Sequence, residues 1–206
     1  MKKLFLLVVS ATLSFNLMSQ GLIGTSTSLI LVYNNPSNYF YIQLDGVDKK
    51  KTEQPTVFIL DNKAVQVLAL NKNKFLPPNS RSRSQKDIIK DYIKWESDYI
   101  KESFKWDINN NTETLKTKSD IDVVFWTYDM PTGEEVVTDS TRTTPTQKQM
   151  FILRLVKDYI VGINTPLFDS DQYEINKAYL LKNIDNIVIS EKEIDLDELN
   201  GQVNKQ

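Results

Sequence analysis

The sequence predicts an α+β fold, an antiparallel sheet built from hairpins with a long central helix and a C-terminal helix packed on it. Two observations carry this prediction. Short runs of β-branched and aromatic residues alternate with turn-forming residues, which is typical of hairpins. Two further segments, 85–106 and a shorter one after Pro166, place apolar residues at helical spacing.

The densest apolar stretch, 150–167, predicts the hairpin at the middle of the sheet. Its strands are expected at 150–156 and 159–164, joined by the polar pair Lys157-Asp158. Both faces of the first strand are mostly apolar, which favours a central strand that is covered by helices on at least one side and shielded by neighbours on the other. The exception is Arg154, which we expect to reach a rim, to meet an acid such as Asp122, or to point into a pocket.

Other hairpins follow from the same pattern of apolar runs and turns. They are predicted to pair 28–33 with 38–45, 57–60 with 64–70, and 120–129 with 134–138. Residues 120–129 are the expected neighbour of the central hairpin, and 187–189 are a possible last strand. The polar stretches 46–55 and 109–119 lack apolar alternation and are predicted to be loops.

The long helix is expected to begin after Ser84, whose hydroxyl is suited to cap it. Its buried stripe is predicted to contain Ile89, Ile93, Ile100 and Phe104. Trp95 and Tyr99 lie beside this stripe, where they either pack on the sheet or form a ligand platform. The C-terminal helix is expected to begin at the capping signature 171–174, with a buried stripe of Tyr173, Leu180, Leu181 and Ile184.

Residues 1–20 have the organisation of a secretory signal peptide. Lys2 and Lys3 precede an apolar run at 4–13, and cleavage is expected after Ser19 or after Gly21. A membrane anchor is the alternative, but the apolar run is too short to span a bilayer. The remaining chain is predicted to form a single α+β domain at 21–190, followed by an acidic and polar tail at 191–206 that frays.

The compartment follows from this N-terminal segment. The opening MKKLFLLVVS, with a Gln at the expected junction, resembles exported proteins of the Bacteroidota. The chain has no cysteine for lipid attachment, and no later segment approaches the roughly twenty apolar residues of a spanning helix. We therefore predict a secreted or periplasmic protein with no integral membrane segment in its mature form.

The net charge and its distribution along the chain bear on the kind of partner that the protein can bind. Removal of Lys2 and Lys3 leaves 23 basic and 27 acidic residues, a net charge of −4, which argues against nucleic acid. Between Lys72 and Lys105 there are nine basic and five acidic residues, whereas 185–206 is acidic. This polarity indicates either docking to a partner of opposite charge or a surface that serves solubility.

The missing residue types exclude most catalytic sites. Without histidine or cysteine there is no Ser-His-Asp triad, thiol nucleophile, or histidine or thiolate metal site. None of the six glycines forms a phosphate-cradling pattern, so we expect no nucleotide cofactor, and no other cofactor is predicted. Only carboxylates, lysines, tyrosines and hydroxyl groups remain for chemistry.

Two groups of acidic residues are candidate metal sites. Asp169, Asp171 and Glu174 are candidate calcium ligands, although helix capping explains the same residues. Asp120 and Asp122 are two residues apart on a strand, which a polar strand entry also explains. A glycoside hydrolase needs two carboxylates facing each other across a cleft, and nothing in the linear sequence identifies such a pair.

Aromatic residues supply the candidate binding surface. Tyr39, Tyr41, Trp126 and Tyr128 are candidates for an aromatic platform that binds sugar, although cross-strand aromatic packing explains the same residues. Arg154 is a further candidate for the binding surface.

The predicted order of strand pairs, long helix, antiparallel strands and closing helix resembles the Mog1/PsbP-like arrangement. The resemblance implies a role in assembly or binding and transfers no site residue. From the export signal and the missing catalytic residue types, we expect an exported non-catalytic module that binds a protein or an envelope component. The alternatives are a carboxylate-based or calcium-dependent hydrolase of envelope polysaccharide and a carrier of a small apolar ligand.

Overall fold

A computed structural model describes residues 21–77, 83–131 and 146–204. The predicted signal peptide and the predicted strand at 134–138 lie outside these residues. The strands are β1 (Gly21–Gly24), β2 (Ser28–Asn35), β3 (Asn38–Asp45), β4 (Lys49–Lys51), β5 (Val57–Leu60), β6 (Lys63–Asn71), β7 (Asn110–Lys116), β8 (Asp122–Asp129), β9 (Lys148–Val156), β10 (Tyr159–Leu167) and β11 (Ile187–Ser190). The α-helices are α1 (Gln85–Phe104), α2 (Tyr173–Asp185) and α3 (Leu196–Val203).

The strands form two antiparallel sheets, which confirms the predicted fold class. The large sheet has the order β4-β5-β6-β10-β9-β8-β7, and the small sheet has the order β1-β2-β3-β11. The β9–β10 hairpin occupies the centre of the large sheet, as its two apolar faces predict. Its two-residue turn is Lys157-Asp158, and Lys157 adopts a φ of 54°, the left-handed conformation that such tight hairpins require.

The main core lies between the two sheets, and α2 packs against it. Apolar side chains that alternate along the strands meet there, because the two sheets turn one apolar face towards each other. They include Leu31, Phe40, Ile42, Leu60, Val67, Phe125, Ile152, Val161, Leu180 and Ile184.

Helix α1 covers the opposite face of the large sheet. Its apolar residues recur every three or four positions, which places Ile89, Tyr92 and Ile100 against the strands. The Ser84 hydroxyl caps the helix by accepting a hydrogen bond from the Asp87 N–H at 3.2 Å. The helix ends at Phe104, two residues before the predicted boundary, and Lys105 follows it with a left-handed φ of 60°.

The acidic tail, predicted to fray, instead contains α3, and this expectation was wrong. Leu199 is buried against Ile30 and Val32 on the outer face of the small sheet. The Asn34 side chain anchors the approach to α3 by donating to the Ile194 carbonyl at 2.8 Å and accepting from the Ile194 N–H at 3.0 Å. A short covering helix needs only a few apolar side chains, so an otherwise polar segment can form one.

The two segments predicted to be loops at 46–55 and 109–119 contain strands β4 and β7, so these predictions were wrong. Both strands lie at the edges of the large sheet, where most side chains are exposed. An exposed edge strand needs no apolar alternation, so the pattern used for prediction is absent there. Their hydrogen bonds with β5 and β8 provide the strand structure instead.

The start of the C-terminal helix also differs from its prediction. Asp169, not Asp171, is the capping residue: its carboxylate accepts from the Asp171 N–H at 3.0 Å. It caps a single 3-10 turn, Ser170–Gln172, which leads directly into α2. Leu180 and Ile184 are buried as predicted, while Tyr173 and Leu181 are half-buried beside them.

Gly162 in β10 gives a test of the packing under α1. A Cβ atom there would lie 2.6 Å from Leu153 Cδ2 and 2.9 Å from Leu68 Cγ, below any ordinary contact distance. We expect Gly162→Ala to lower the free energy of unfolding by about 1–3 kcal/mol, measured by urea denaturation of the purified protein.

Gly24→Ala is the matched control, since a Cβ atom on that strand glycine meets nothing within 4 Å. It should change the free energy of unfolding by no more than about 0.5 kcal/mol. Equal effects of the two substitutions would show that the close packing around Gly162 is not limiting.

Candidate binding groove

Strand β7 is an open edge of the large sheet. It pairs with β8 in continuous register from Asn110 opposite Tyr128 to Lys116 opposite Asp122. Six of its seven residues are exposed, and Leu115 is half-buried. In the part of the chain that the structure describes, no strand pairs with its other side. A row of backbone donors and acceptors is therefore presented to solvent.

The hairpin turn between β7 and β8 determines which backbone groups face outward. The Thr117 N–H donates to the Ile121 carbonyl at 2.9 Å, and Asp120 has the left-handed φ of 60° that closes this turn. Inward and outward bonding alternate along an antiparallel strand. The N–H and C=O groups of Thr112 and Thr114 consequently point away from β8.

A groove runs between this edge and α1. At one end the Asn110 amide donates to the Ser97 hydroxyl at 2.8 Å, and it also accepts from Trp126 Nε1 at 2.8 Å. Towards the other end lies a cleft of about 450 Å³, lined by Lys86, Lys90, Thr112, Glu113, Thr114 and Val124. An adjoining cleft of about 300 Å³ shares Lys90 and continues along α1 to Asn110. The helix thus forms one wall along β7, antiparallel to it.

The helix wall is lined with lysines. Two of them are neutralised by acids within the groove, in the salt bridges Lys94–Asp98 (2.6 Å) and Lys101–Asp107 (3.2 Å). Lys86 and Lys90 are exposed and form no salt bridge within the described residues. Glu113 also lines the cleft, but its carboxylate binds Lys177 at 2.6 Å. Lys86 and Lys90 both help to lower the pKa of Asp87, after its hydrogen bond with Ser84, but neither is held in an ion pair. The end of the groove beside Thr112 and Thr114 therefore carries two lysines without a salt-bridge partner among the described residues.

The opposite edge of the large sheet has a different character. Strand β4 has only three residues, all lysines, and Lys50 and Lys51 are exposed. Short length and lysine side chains are features by which natural sheets discourage further strand pairing. Strand β7 is more than twice as long, and its residues from 110 to 115 include no lysine, arginine or proline. The two edges are therefore not equivalent as docking sites.

The predicted aromatic platform is not assembled. Tyr39 and Tyr41 lie half-buried on the small sheet, whereas Trp126 and Tyr128 are buried in the large sheet beneath α1. Trp126 stacks on Phe151 with ring centroids 4.4 Å apart. Cross-strand packing thus accounts for the last two residues, which cannot form a surface with the first two.

Arg154 faces the core between the sheets and is 9% exposed. Burial lowers the pKa of its guanidinium group, while the Asp185 carboxylate opposes this shift. The expected partner Asp122 lies 3.4 Å from Lys116 instead. Asp185 is itself bound by the Thr117 hydroxyl at 2.6 Å, so Arg154 belongs to the structural polar groups at the end of α2.

The acidic candidates do not form a metal centre. In residues 21–77, 83–131 and 146–204, no three Asp or Glu side chains approach closely enough to hold a metal ion. Asp169 and Asp171 meet only through the capping hydrogen bond described above. Their geometry therefore gives the calcium hypothesis no support.

Sequence reasoning missed Glu96, the buried acid of α1. Its side chain is 2% exposed, and no described residue bonds to its Oε1 atom. Burial raises the pKa of Glu96 to about 8. The charge of Glu96 in turn helps to raise the pKa of Tyr92 and of Tyr128, after burial itself. Its place between Ile93 and Ile100 on the apolar stripe was the available signal.

Glu96 makes stability depend on pH. The folded state retains a proton that the unfolded chain releases near pH 4.5, so the free energy of unfolding should fall as pH rises towards about 8. We expect a loss on the order of 3 kcal/mol between pH 5 and pH 8, measured by urea denaturation. Glu96→Gln should abolish most of this loss.

The control is Glu102→Gln, which removes an exposed acid from the same helix. That variant should follow the wild-type pH profile. A Glu96→Gln profile identical to the wild type would show that another group controls the pH dependence.

Comparison with known proteins gives a distant structural likeness. No protein-family model matches the chain, and no curated protein matches its sequence. The fold is similar to the solution structure of cyanobacterial PsbP (CyanoP) from Synechocystis sp. PCC 6803, with a TM-score of 0.45 and 10% sequence identity. The match covers 84% of this chain and 98% of that chain. A likeness this distant carries no argument about function, so the function is argued from the groove itself.

Proposed function

We propose that the protein is an exported, non-catalytic binding or assembly module, which holds an extended segment of a partner protein of the cell envelope by strand addition to β7. The observation that carries this proposal is the regular, exposed edge of β7 beside the groove under α1. Strand addition satisfies the outward backbone groups of such an edge and is a common mode of peptide recognition.

Rigidity of the edge supports the same proposal. The β7–β8 hairpin is closed by its turn at 117–121, and the Asn110 side chain connects β7 to both Ser97 and Trp126. A strand held at both ends loses little conformational freedom when a partner binds, which favours affinity.

Export is proposed from the N-terminal segment alone. Its charged start and short apolar run are those of a cleavable signal. In the described residues, no helix combines the length and apolarity needed to cross a membrane.

The alternative functions gain little from the geometry. The three acids that line the groove, Asp98, Asp107 and Glu113, are each engaged by a lysine, which does not suit the acid and base of a hydrolase. The space under the first half of α1 is filled by aromatic side chains, with Tyr92 within 6.5 Å of the ring centroids of Phe75, Trp95 and Trp126. That packing does not favour a carrier of an apolar ligand.

Thr114→Pro tests strand addition. Proline removes an outward N–H that β8 does not use, so the sheet should be retained while an added strand loses a hydrogen bond. Wild-type protein and Thr114→Pro are each used to capture proteins from the envelope fraction of the source cells. We expect a partner recovered with the wild type to be depleted at least about fivefold with the variant, by quantitative mass spectrometry.

Thr114→Val is the matched control, because it alters the same side chain and retains the N–H. It should recover the partner as the wild type does, and circular dichroism should show all three proteins folded. Equal recovery with folded Thr114→Pro would contradict strand addition at β7.

A further inference from the structure

We infer that the segment bound at β7 is acidic at every second residue, so that its carboxylates on one face meet Lys86 and Lys90 of α1. This inference rests on the proposed strand addition and specifies the chemistry of the partner. It follows from the geometry of the groove, its charge, and the side chains that β7 already supplies.

The spacing of the two lysines matches an extended chain. Lys86 and Lys90 are four residues apart on a helix, which separates them by about 6 Å along its axis. Alternate residues of a strand repeat at about 6.8 Å and project to the same face. Because α1 runs antiparallel to β7, successive carboxylates on the helix side of an added strand would lie opposite successive lysines.

The position of the lysines suits the strand beyond β7. Thr112 and Thr114, the β7 residues on this face, are neutral and short, and both line the cleft with Lys86 and Lys90. The acid at position 113 lies between them on the strand and is bound by Lys177 of α2. The acid whose pKa both lysines help to lower, Asp87, forms no salt bridge with either of them, so both ammonium groups can pair with acids carried by a partner.

A second copy of the chain is a poor occupant of the groove. Antiparallel pairing of two β7 strands about a two-fold axis perpendicular to the sheet would place both α1 helices on the same face. The Lys86 and Lys90 side chains of the two copies would then border one seam. On that face β7 contributes Thr112, Thr114 and the cationic Lys116, while its one acid, Glu113, is bound by Lys177. Like charges that face each other across an interface oppose association.

Synthetic peptides test the inference directly. The probe is a fluorescein-labelled nine-residue peptide that alternates Thr and Glu, titrated with the purified protein and followed by fluorescence anisotropy at low salt. Comparison peptides replace every Glu by Gln, or gather the same glutamates into one block. We expect the alternating acidic peptide to bind about tenfold more tightly than either comparison peptide, and to lose this advantage at 0.5 M salt.

Charge reversal on the protein identifies the site. Lys86→Glu combined with Lys90→Glu should remove the preference for the acidic peptide and create one for an alternating Thr and Lys peptide. Lys74→Glu combined with Lys192→Glu is the matched control, with the same charge change at two exposed lysines that line neither cleft, and should retain the wild-type preference.

Each contrary result has its own meaning. Equal binding of the Glu and Gln peptides, or no binding of any peptide, would overturn the acidic preference and leave strand addition to be judged by the capture experiment. Undiminished binding of the acidic peptide to Thr114→Pro would retain the lysine contacts and overturn strand addition. A wild-type dimer that Thr114→Pro converts to a monomer would assign the edge to a second copy and overturn the inference.

Discussion

The fold depends on one constraint, which is that the β9–β10 hairpin is apolar on both faces. Burial of both faces requires a covering layer on each side of the large sheet. Helix α1 supplies one layer, and the small sheet with α2 supplies the other. Gly162 lies on the α1 side, where the side chains of Leu68 and Leu153 occupy the space above it. The remaining elements extend or cover this central arrangement.

Because both faces of the large sheet are covered, its exposed backbone groups lie at its two edges. Helix α1, which buries one face of the large sheet, also lies beside β7. The element that stabilises the core therefore forms one side of the groove as well. Its apolar stripe faces the strands while its lysines face the edge. Core packing and the candidate site are therefore two sides of the same helix.

The sequence predicted those elements whose burial requires apolar residues at regular positions. The central hairpin, α1 and strands β2, β3 and β8 alternate or repeat apolar residues, and each was predicted close to its observed place. The edge strands β4 and β7 and the short helix α3 were missed, since a strand or helix exposed on most sides needs few apolar residues. The N-cap of Ser84 was recognised because its signal is local.

The candidate groove was the least predictable feature for the same reason. Its components are an exposed polar strand and two exposed lysines, and only the excess of basic residues between Lys72 and Lys105 pointed to them. Glu96 was missed for a different reason. It is a single acid on the apolar stripe of α1, and the surrounding apolar pattern gives no reason to expect a buried acid there. The packing of α1 on β8 and β9, which leaves the helix beside β7, is not encoded in any local pattern.

The lysines of β4 have a consequence for self-assembly. A sheet with two available edges can grow head to tail. In such growth β4 of one molecule pairs with β7 of the next, and the contact repeats without closing into a ring. Here such a joint would bring Lys50, whose side chain lies on the face opposite to those of Lys49 and Lys51, towards the lysine-lined wall of α1, positive charge against positive charge. The molecule can thus keep one receptive edge without polymerising into fibres.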